Sequence, residues 1–585
     1  MVLRLADEKL NFRTRGFFRN FVALMCSLMK RFLLALAATL SLTALFAQPA
    51  PLPEHVVHVQ RGNVTAVFGG PTQPQGRSYN NAPSFFIYPD KKLDKAGAEA
   101  LVQSLDMQKV LDENFGTAYV LNPVGEKYAV EADFDAFVEM FNRARSGNLK
   151  IIAFGDGATF VNQVLAPRAA DHIAGIATVE GKPATLPRHF SSYGVPAFVA
   201  GKNATKVARE YATLNERQEP FEPLLQVVVS PASDPQTVFA EAWDKVFSRN
   251  FRFNNYKHTH YEGAKFGEYG PYELEPYADW ERLGIKRLVV EYGASYRGRD
   301  LNGPKYLWYE YWPEELMNGA PEHSVPVVVL LHGNTNDPRT QAETSGFLQV
   351  AGEDRIFLVE MEWQGTPNYQ AMGHDGIESV LAILLEKYPQ LDPSRIYAHG
   401  LSAGSMTATA LGIKKSHVFA AVGGNSGALF TGHWIGPFPT FEAIWAEATQ
   451  KRGSTETAYI SVFGTKDTTV PYMTPDNWEG NSYLNAWNAY EQMNGMTVVD
   501  QMDFEHYPIF GQEVRDRETI VTHKGEDIVV ETGQLYNGDM PLIKLVAVMD
   551  YGHWNFIPAA RIAWDFFKHY RRDPVTKKLI YSVGD

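Results

Sequence analysis

Two rhythms of apolar and polar positions alternate along the chain. Short runs rich in Val, Ile and Phe predict strands, and longer stretches with apolar residues every three or four positions predict helices between them. That alternation is the pattern of a mostly parallel sheet with crossover helices on both faces. Beyond about residue 280 the predicted strands are 326–331, 356–360, 395–398, 419–422, 459–463 and 543–549, with helices at 376–387, 403–413 and 559–570. The first half repeats the grammar, with strands at 85–88, 118–121, 150–154, 173–178, 197–200 and 225–229 and helices at 95–113 and 134–145.

The halves also share short sequences. Ile151-Ile152-Ala153-Phe154-Gly155-Asp156-Gly157-Ala158 resembles Ile396-Tyr397-Ala398-His399-Gly400-Leu401-Ser402-Ala403, and Ala242-Trp243-Asp244 matches Ala563-Trp564-Asp565. These matches predict a duplicated α/β fold. The expected organisation is a first domain over 55–251, a linker over 252–284 rich in aromatics, Gly and Pro, and a second domain over 285–585 with an insertion at about 472–540. Residues 1–47 read as a cleavable export signal: Met29-Lys30-Arg31 opens the positive region, an apolar run follows, and Ala47 precedes Gln48-Pro49. Translation is expected to start at Met29, and the protein to be secreted or periplasmic.

Composition narrows the class. The 585 residues include 54 Lys+Arg and 67 Asp+Glu, a net charge of −13, with 45% hydrophobic and 21% charged residues. That is a globular composition, and the acidic balance without a basic run argues against a nucleic-acid partner. Cys26 is the one cysteine, so neither a disulfide framework nor a cysteine metal site is available. No stretch after the signal is long and apolar enough to predict a stable membrane span.

The strongest chemical motif is Gly400-Leu401-Ser402-Ala403-Gly404, between a predicted strand and a predicted helix. Small residues flank the serine because the strand reverses into the helix with backbone against backbone, lifting the hydroxyl out at a helix N-terminus. A serine needs a base to take its proton, and the base needs an acceptor to orient it. Asp467, after strand 459–463, and His553, after strand 543–549, follow the serine in the acid-then-histidine order of this fold. Asp550 is the rival acid and is read as a turn residue. The oxyanion donors are expected to be the backbone N–H of Ala403 and that of Asn334 or Thr335, in the loop His332-Gly333-Asn334-Thr335. His332 is read as a buried support for that loop. His374, His399 and His433 lack ligand spacing, so no metal is assigned.

Together Tyr309-Glu310-Tyr311-Trp312-Pro313, His332-Gly333, the serine motif, Gly464-Thr465-Lys466-Asp467 with Val470-Pro471, and Gly552-His553-Trp554 resemble the α/β-hydrolase esterases of the poly(3-hydroxybutyrate) depolymerase type, which include feruloyl and acetylxylan esterases. The resemblance spans roughly 284–585 and implies ester hydrolysis through an acyl-enzyme, without a cofactor, on an ester substrate that can be polymeric. The chain departs from many members at Asn334, where they carry Cys or Gly, and at Asn555-Phe556-Ile557-Pro558, where their proline comes sooner.

In the first half Gly157 is aligned with Ser402, Ala204 or Asn203 with Asp467, and Pro89-Asp90 with His332-Gly333, with no counterpart to His553. That half reads as a degenerate copy. Aromatic residues in or near the insertion and the histidine loop, namely Trp434, Tyr472, Trp478 and Trp554, are the expected substrate contacts. Two other readings stay open: an exported peptidase of the prolyl-oligopeptidase type, and a non-catalytic carbohydrate- or surface-binding protein.

Overall fold

The run Val325–Leu331 is buried at every position, as a strand must be when helices cover both faces of its sheet. It sits near the middle of a ten-stranded sheet in the computed structural model of the chain. The structure describes residues 52–61, 82–114, 116–144, 148–184, 194–215, 225–253, 266, 273–276, 280–292, 295–296, 299–300, 305–334, 336–365, 369–429, 446, 456–499, 501–523 and 527–583. The export-signal region, Cys26, Thr335, His433 and Trp434 lie outside the described residues.

Seven strands form the first sheet: β1 (Val56–Arg61), β2 (Ser84–Tyr88), β3 (Thr117–Leu121), β4 (Leu149–Phe154), β5 (Gly175–Val179), β6 (Ala197–Ala200) and β7 (Val227–Ser230). Their spatial order is β1-β3-β2-β4-β5-β6-β7. β1 runs antiparallel to β3, and every other neighbouring pair is parallel. The helix expected at 95–113 is two helices, Lys95–Ser104 and Gln108–Asn114, because Asp106 between them takes a positive φ of 51°.

The expected linker is not plain connection. It contributes strands β8 (Asn250–Phe253) and β9 (Glu273–Pro276), which pair antiparallel, and 55–585 forms a single compact unit. β10 (Ile285–Tyr292) then starts the second sheet, followed by the short pair β11 (Ser295–Tyr296) and β12 (Arg299–Asp300). The remaining strands are β13 (Tyr306–Pro313), β14 (Val325–Leu331), β15 (Phe357–Met361), β16 (Leu391–Leu401), β17 (Ala421–Asn425), β18 (Ala458–Gly464), β19 (Arg515–His523), β20 (Asp527–Asn537), β21 (Met540–Val548), β22 (Tyr570–Arg572) and β23 (Leu579–Tyr581).

The second sheet has the order β10-β13-β15-β14-β16-β17-β18-β21-β20-β19. β13 is antiparallel to both neighbours, and β15, β14, β16, β17, β18 and β21 are mutually parallel. Over the eight strands from β10 to β21, the second runs against the rest and the third and fourth trade places. That is the strand order of the α/β-hydrolase fold. The insertion expected at 472–540 holds the helix Ser482–Met493 and the strands β19 and β20, which extend the sheet antiparallel beyond β21.

Both halves end alike. Arg252 in β8 is buried and donates to the carbonyls of Ile173 (2.6 Å) and Gly194 (2.6 Å), just ahead of β5 and β6. Arg572 in β22 is buried and donates to the carbonyls of Phe419 (2.9 Å) and Glu456 (2.6 Å), just ahead of β17 and β18. A guanidinium's fork of donors suits two carbonyls at once, so each arginine closes off otherwise open strand starts.

His399 in β16 is a polar residue in an apolar layer. It is fully buried against Phe347 at a 4.9 Å ring distance, and neither ring nitrogen has a hydrogen-bond partner. Burial drops its imidazole from 6.5 to about 3. The unfolded chain therefore binds that proton more readily, so stability present above pH 6.5 is lost as the pH falls toward 3. His399→Leu is expected to match or exceed the wild-type melting temperature at pH 7.5 and to flatten its decline below pH 6.5. Thermal melts across pH check this; a decline parallel to wild type would place the acid sensitivity elsewhere.

Candidate active site

Ser402 stands between the end of β16 and the start of the helix Ala403–Lys414, with φ 53° and ψ −119°. A non-glycine residue in that region costs on the order of 1–3 kcal/mol and must be held by its surroundings. Here the Ser402 N–H donates to the carbonyl of Asn425 at the end of β17 (2.9 Å), and the Ser402 carbonyl accepts from Met406 N–H (2.9 Å). A Cβ on Gly404 would collide with the Leu331 carbonyl and lie 2.5 Å from that of His332. The glycine thus lets the helix start lie directly on the end of β14.

His553 and Asp467 reach this point from two other strand ends. His553 Nε2 lies 2.9 Å from Ser402 Oγ, and its Nδ1 lies 2.7 Å from Asp467 Oδ2. The carboxylate only accepts, so Nδ1 carries the proton and Nε2 of the neutral ring accepts from the serine hydroxyl. Asp467 is held in turn: its Oδ1 accepts from the N–H groups of Thr469 (2.8 Å) and Val470 (2.9 Å). Asp467 and His553 are both buried, whereas Ser402 is half-buried. Asp550 is elsewhere: it sits in a turn with φ 58° and pairs with Lys466 at 2.9 Å on the exposed surface.

The loop after β14 is built from beneath. His332 is fully buried; its Nδ1 donates to the Gly333 carbonyl (2.8 Å), its Nε2 lies 3.4 Å from Glu362 Oε1, and its carbonyl accepts from Trp363 Nε1 (2.9 Å). Asn334 is exposed in the turn that follows, with its Oδ1 accepting from Gln364 Nε2 (2.8 Å). Asp337 then caps the helix Pro338–Thr344 through Thr340 N–H (2.9 Å). Deeper in, burial with Asp337 and Glu362 nearby pushes the Glu360 carboxyl well above its usual range. Ala403 opens its helix, where first-turn N–H groups have no intrahelical acceptor.

Two of the aromatic candidates pack into or against the core. Trp554 is 2% exposed and belongs to the core on one side of the second sheet. Tyr472 stacks on Phe463 at 4.9 Å with its hydroxyl buried and without a hydrogen-bond partner. Both are expected from sequence as substrate contacts, but the Trp554 ring lies within the core and the half-buried Tyr472 ring packs flat on Phe463. Trp478 is half-buried against the same core. His374 is also buried, and among the described residues no three His, Cys, Asp or Glu side chains group as a metal ion requires.

The alignment of Gly157 with Ser402 is off by two residues. Leu331 pairs with Gly400 across β14 and β16, and Tyr88 pairs with Ala153 across β2 and β4. Ser402 therefore corresponds to Gly155, which has the same φ of 53°. Gly157 corresponds to Gly404, since its Cβ would lie 2.5 Å from the Pro89 carbonyl and 2.6 Å from that of Tyr88. The next N–H, on Asp156, donates to Asp90 Oδ1 at 2.9 Å. Sequence reasoning also missed Asn425, Gln341 and Asn555, which no motif marks.

No protein-family model matches the sequence, and no curated protein matches it. Among solved structures the chain is similar to an acetyl xylan esterase from Aspergillus awamori, with TM-score 0.32, 14% identity, and 48% of this chain and 99% of that one covered. It is similar to an S-formylglutathione hydrolase from Agrobacterium tumefaciens, with TM-score 0.33, 11% identity, and 49% and 95% covered. A third is a fluorophosphonate-binding serine hydrolase from Staphylococcus aureus, with TM-score 0.28, 15% identity, and 35% and 88% covered. The strand order, rather than these likenesses, identifies the α/β-hydrolase fold.

Proposed function

We propose that the chain is an exported serine hydrolase of carboxylic esters, acting through an acyl-enzyme on polysaccharide-linked acyl or feruloyl esters or on polyester fragments. The observation that carries the reading is the Ser402–His553–Asp467 hydrogen-bonded series, with contacts of 2.9 and 2.7 Å and the serine raised on a tight strand-to-helix turn. In this cycle His553 Nε2 takes the Ser402 proton as Oγ bonds the ester carbonyl carbon. Asp467 steadies the imidazolium. The oxyanion accepts from Ala403 N–H and from the backbone near Asn334, a form of stabilisation worth several kcal/mol, on the order of 3 per donor. Collapse releases the alcohol, which leaves with the proton from His553, and water then repeats the attack on the acyl-enzyme. No cofactor enters these steps. Trp478 remains the candidate for stacking on an aromatic or sugar group of the substrate. Export rests on the 1–47 pattern of charge, apolar run and small residue.

The test is an ester panel of acetyl, feruloyl and hydroxybutyrate substrates beside a proline-containing peptide, with fluorophosphonate labelling of Ser402. Peptide cleavage without ester cleavage would favour a peptidase, and no labelling would sink the hydrolase reading.

The first half is, on this proposal, a degenerate copy of the same fold that has lost its chemistry. The shared strand order, the two positive-φ elbows and the twin buried arginines support the duplication. Gly155→Ser in a Ser402→Ala background is expected to stay inactive, because the turn directly after β7, with Ala232-Ser233-Asp234, holds no histidine, Ala204 stands at the acid position, and the Asp90 carboxylate already takes the Asp156 N–H where an oxyanion would bind. Ester turnover by that double variant would show that the first half keeps working machinery.

A further inference from the structure

A buried amide joins the elements that carry the site. Asn555, two residues after His553, is 2% exposed, and its side chain fills all four of its hydrogen-bonding positions. Its Oδ1 accepts from Asn425 Nδ2 (3.2 Å) and Gln341 Nε2 (3.4 Å), and its Nδ2 donates to Gln341 Oε1 (3.1 Å) and Thr344 Oγ1 (3.0 Å). Its carbonyl accepts from Tyr551 Oη (2.6 Å), so the histidine loop is also closed on itself.

Each partner belongs to a different part of the machinery. Asn425 supplies the carbonyl that holds the Ser402 N–H. Gln341 and Thr344 lie on the helix Pro338–Thr344, which directly follows the loop carrying Asn334. The network is neutral, so it fixes positions without competing with Asp467 for the imidazole proton.

The same short helix is gripped from the first half of the chain. Arg339 is buried; its Nε pairs with Glu343 Oε1 (2.7 Å), its Nη1 donates to the Glu113 carbonyl (2.6 Å) and its Nη2 to Asn114 Oδ1 (2.9 Å). Glu113 and Asn114 end the helix Gln108–Asn114 of the first sheet's domain. One face of a seven-residue helix thus touches the inactive half, and another carries the amide hub beside His553.

We propose that Asn555 is a positioning residue for His553, and that the inactive first half braces it through Arg339 and the helix Pro338–Thr344. The proposal rests on the hydrolase reading of Ser402 and His553. It gives the first half a role in catalysis without chemistry of its own, by holding the histidine within the fraction of an ångström that proton transfer demands.

The experiment measures kcat, KM, the rate of Ser402 labelling by a fluorophosphonate and the melting temperature for five variants of the full chain. Asn555→Ala is expected to lower kcat and the labelling rate about tenfold to thirtyfold, with KM within about threefold, since a misplaced base weakens the transition state and not substrate binding. Thr344→Val, which removes one of the four hub bonds together with the hydroxyl's own bond to the Thr340 carbonyl (2.7 Å), gives the same split on a smaller scale and serves if Asn555→Ala does not fold. Arg339→Lys and Asn114→Ala are each expected to lower kcat about twofold to fivefold, again without a KM change. Combined with Asn555→Ala, Arg339→Lys is expected to add almost nothing, because the hub it acts through is gone.

Wild-type kcat in both Asn555→Ala and Thr344→Val, or losses seen only in melting temperature, would overturn the positioning role. Full additivity of Arg339→Lys with Asn555→Ala, or unchanged kcat in Asn114→Ala, would overturn the brace. If the wild-type protein neither labels nor turns over esters, the hydrolase reading itself fails; variant defects against a labelled, active wild type concern the positioning alone.

Discussion

Replacing Ser402 or His553 with alanine is expected to remove ester hydrolysis almost completely, by about 10³-fold or more in kcat for each. The two act as a unit: the hydroxyl 2.9 Å from Nε2 is a nucleophile only while that nitrogen can take its proton. The double variant should therefore be no worse than either single one. Asp467→Asn should approach the same loss. Its Oδ1 would keep the N–H groups of Thr469 and Val470, but an amide nitrogen facing Nδ1 forces the proton onto Nε2, the tautomer that cannot accept from serine. Asp550→Asn should cost no more than about twofold, because its carboxylate pairs with Lys466 on the surface, worth at most about 1 kcal/mol. Steady-state kinetics on an aryl acetate decide this. A severe loss at Asp550 with a mild one at Asp467 would mean that the histidine is oriented by a different acid in solution.

The parts of the fold that sequence reveals are those whose residues answer to one local rule. β14, β16 and β18 read as strands because both of their faces are covered and their apolar runs are nearly continuous. β19 and β20 escaped that rule. Arg515–His523 lies at the edge of the sheet, with charged positions facing solvent, and its pairing with β20 contains a register shift that interrupts alternation. The site divides in the same way. Ser402 carries its own signature because the elbow demands small neighbours, and Asp467 and His553 follow from chain order. Asn555, Gln341 and Arg339 follow from no pattern, since their partners lie 214 and 226 residues away. The slip at the first elbow has a physical cause as well. Gly155 and Gly157 are both required, one by a positive φ and one by close packing, and two glycines in one turn look alike until the ladder register is known.

The elbow glycines give the second large effect. Gly404→Ala places a methyl group against the Leu331 carbonyl, with that of His332 at 2.5 Å; these are backbone atoms at the end of the central strand, so no side chain can swing aside. Either the Ala403–Lys414 helix lifts from β14 or the loop carrying Asn334 moves, and both separate Ser402 from its oxyanion donors. The variant is expected to lose about 2–4 kcal/mol of stability and at least about a hundredfold in kcat. Gly157→Ala makes the matching collision in the first half, with the carbonyls of Pro89 and Tyr88 at 2.5 and 2.6 Å. It should destabilise to a similar degree, on the order of 2–4 kcal/mol, yet leave kcat within a few-fold in protein that stays folded. Gly319→Ala, where nothing lies within 4 Å, is the control and should change neither. Chemical unfolding paired with initial rates separates the cases. If Gly157→Ala were harmless, the first elbow would not be packed as the second is. If it stayed folded but abolished activity, the first half would be tied to the site far more tightly than a brace through one helix requires. The expected outcome assigns the glycine to packing, which the first half needs as well, and the serine two residues before it to chemistry, where the first half has Gly155.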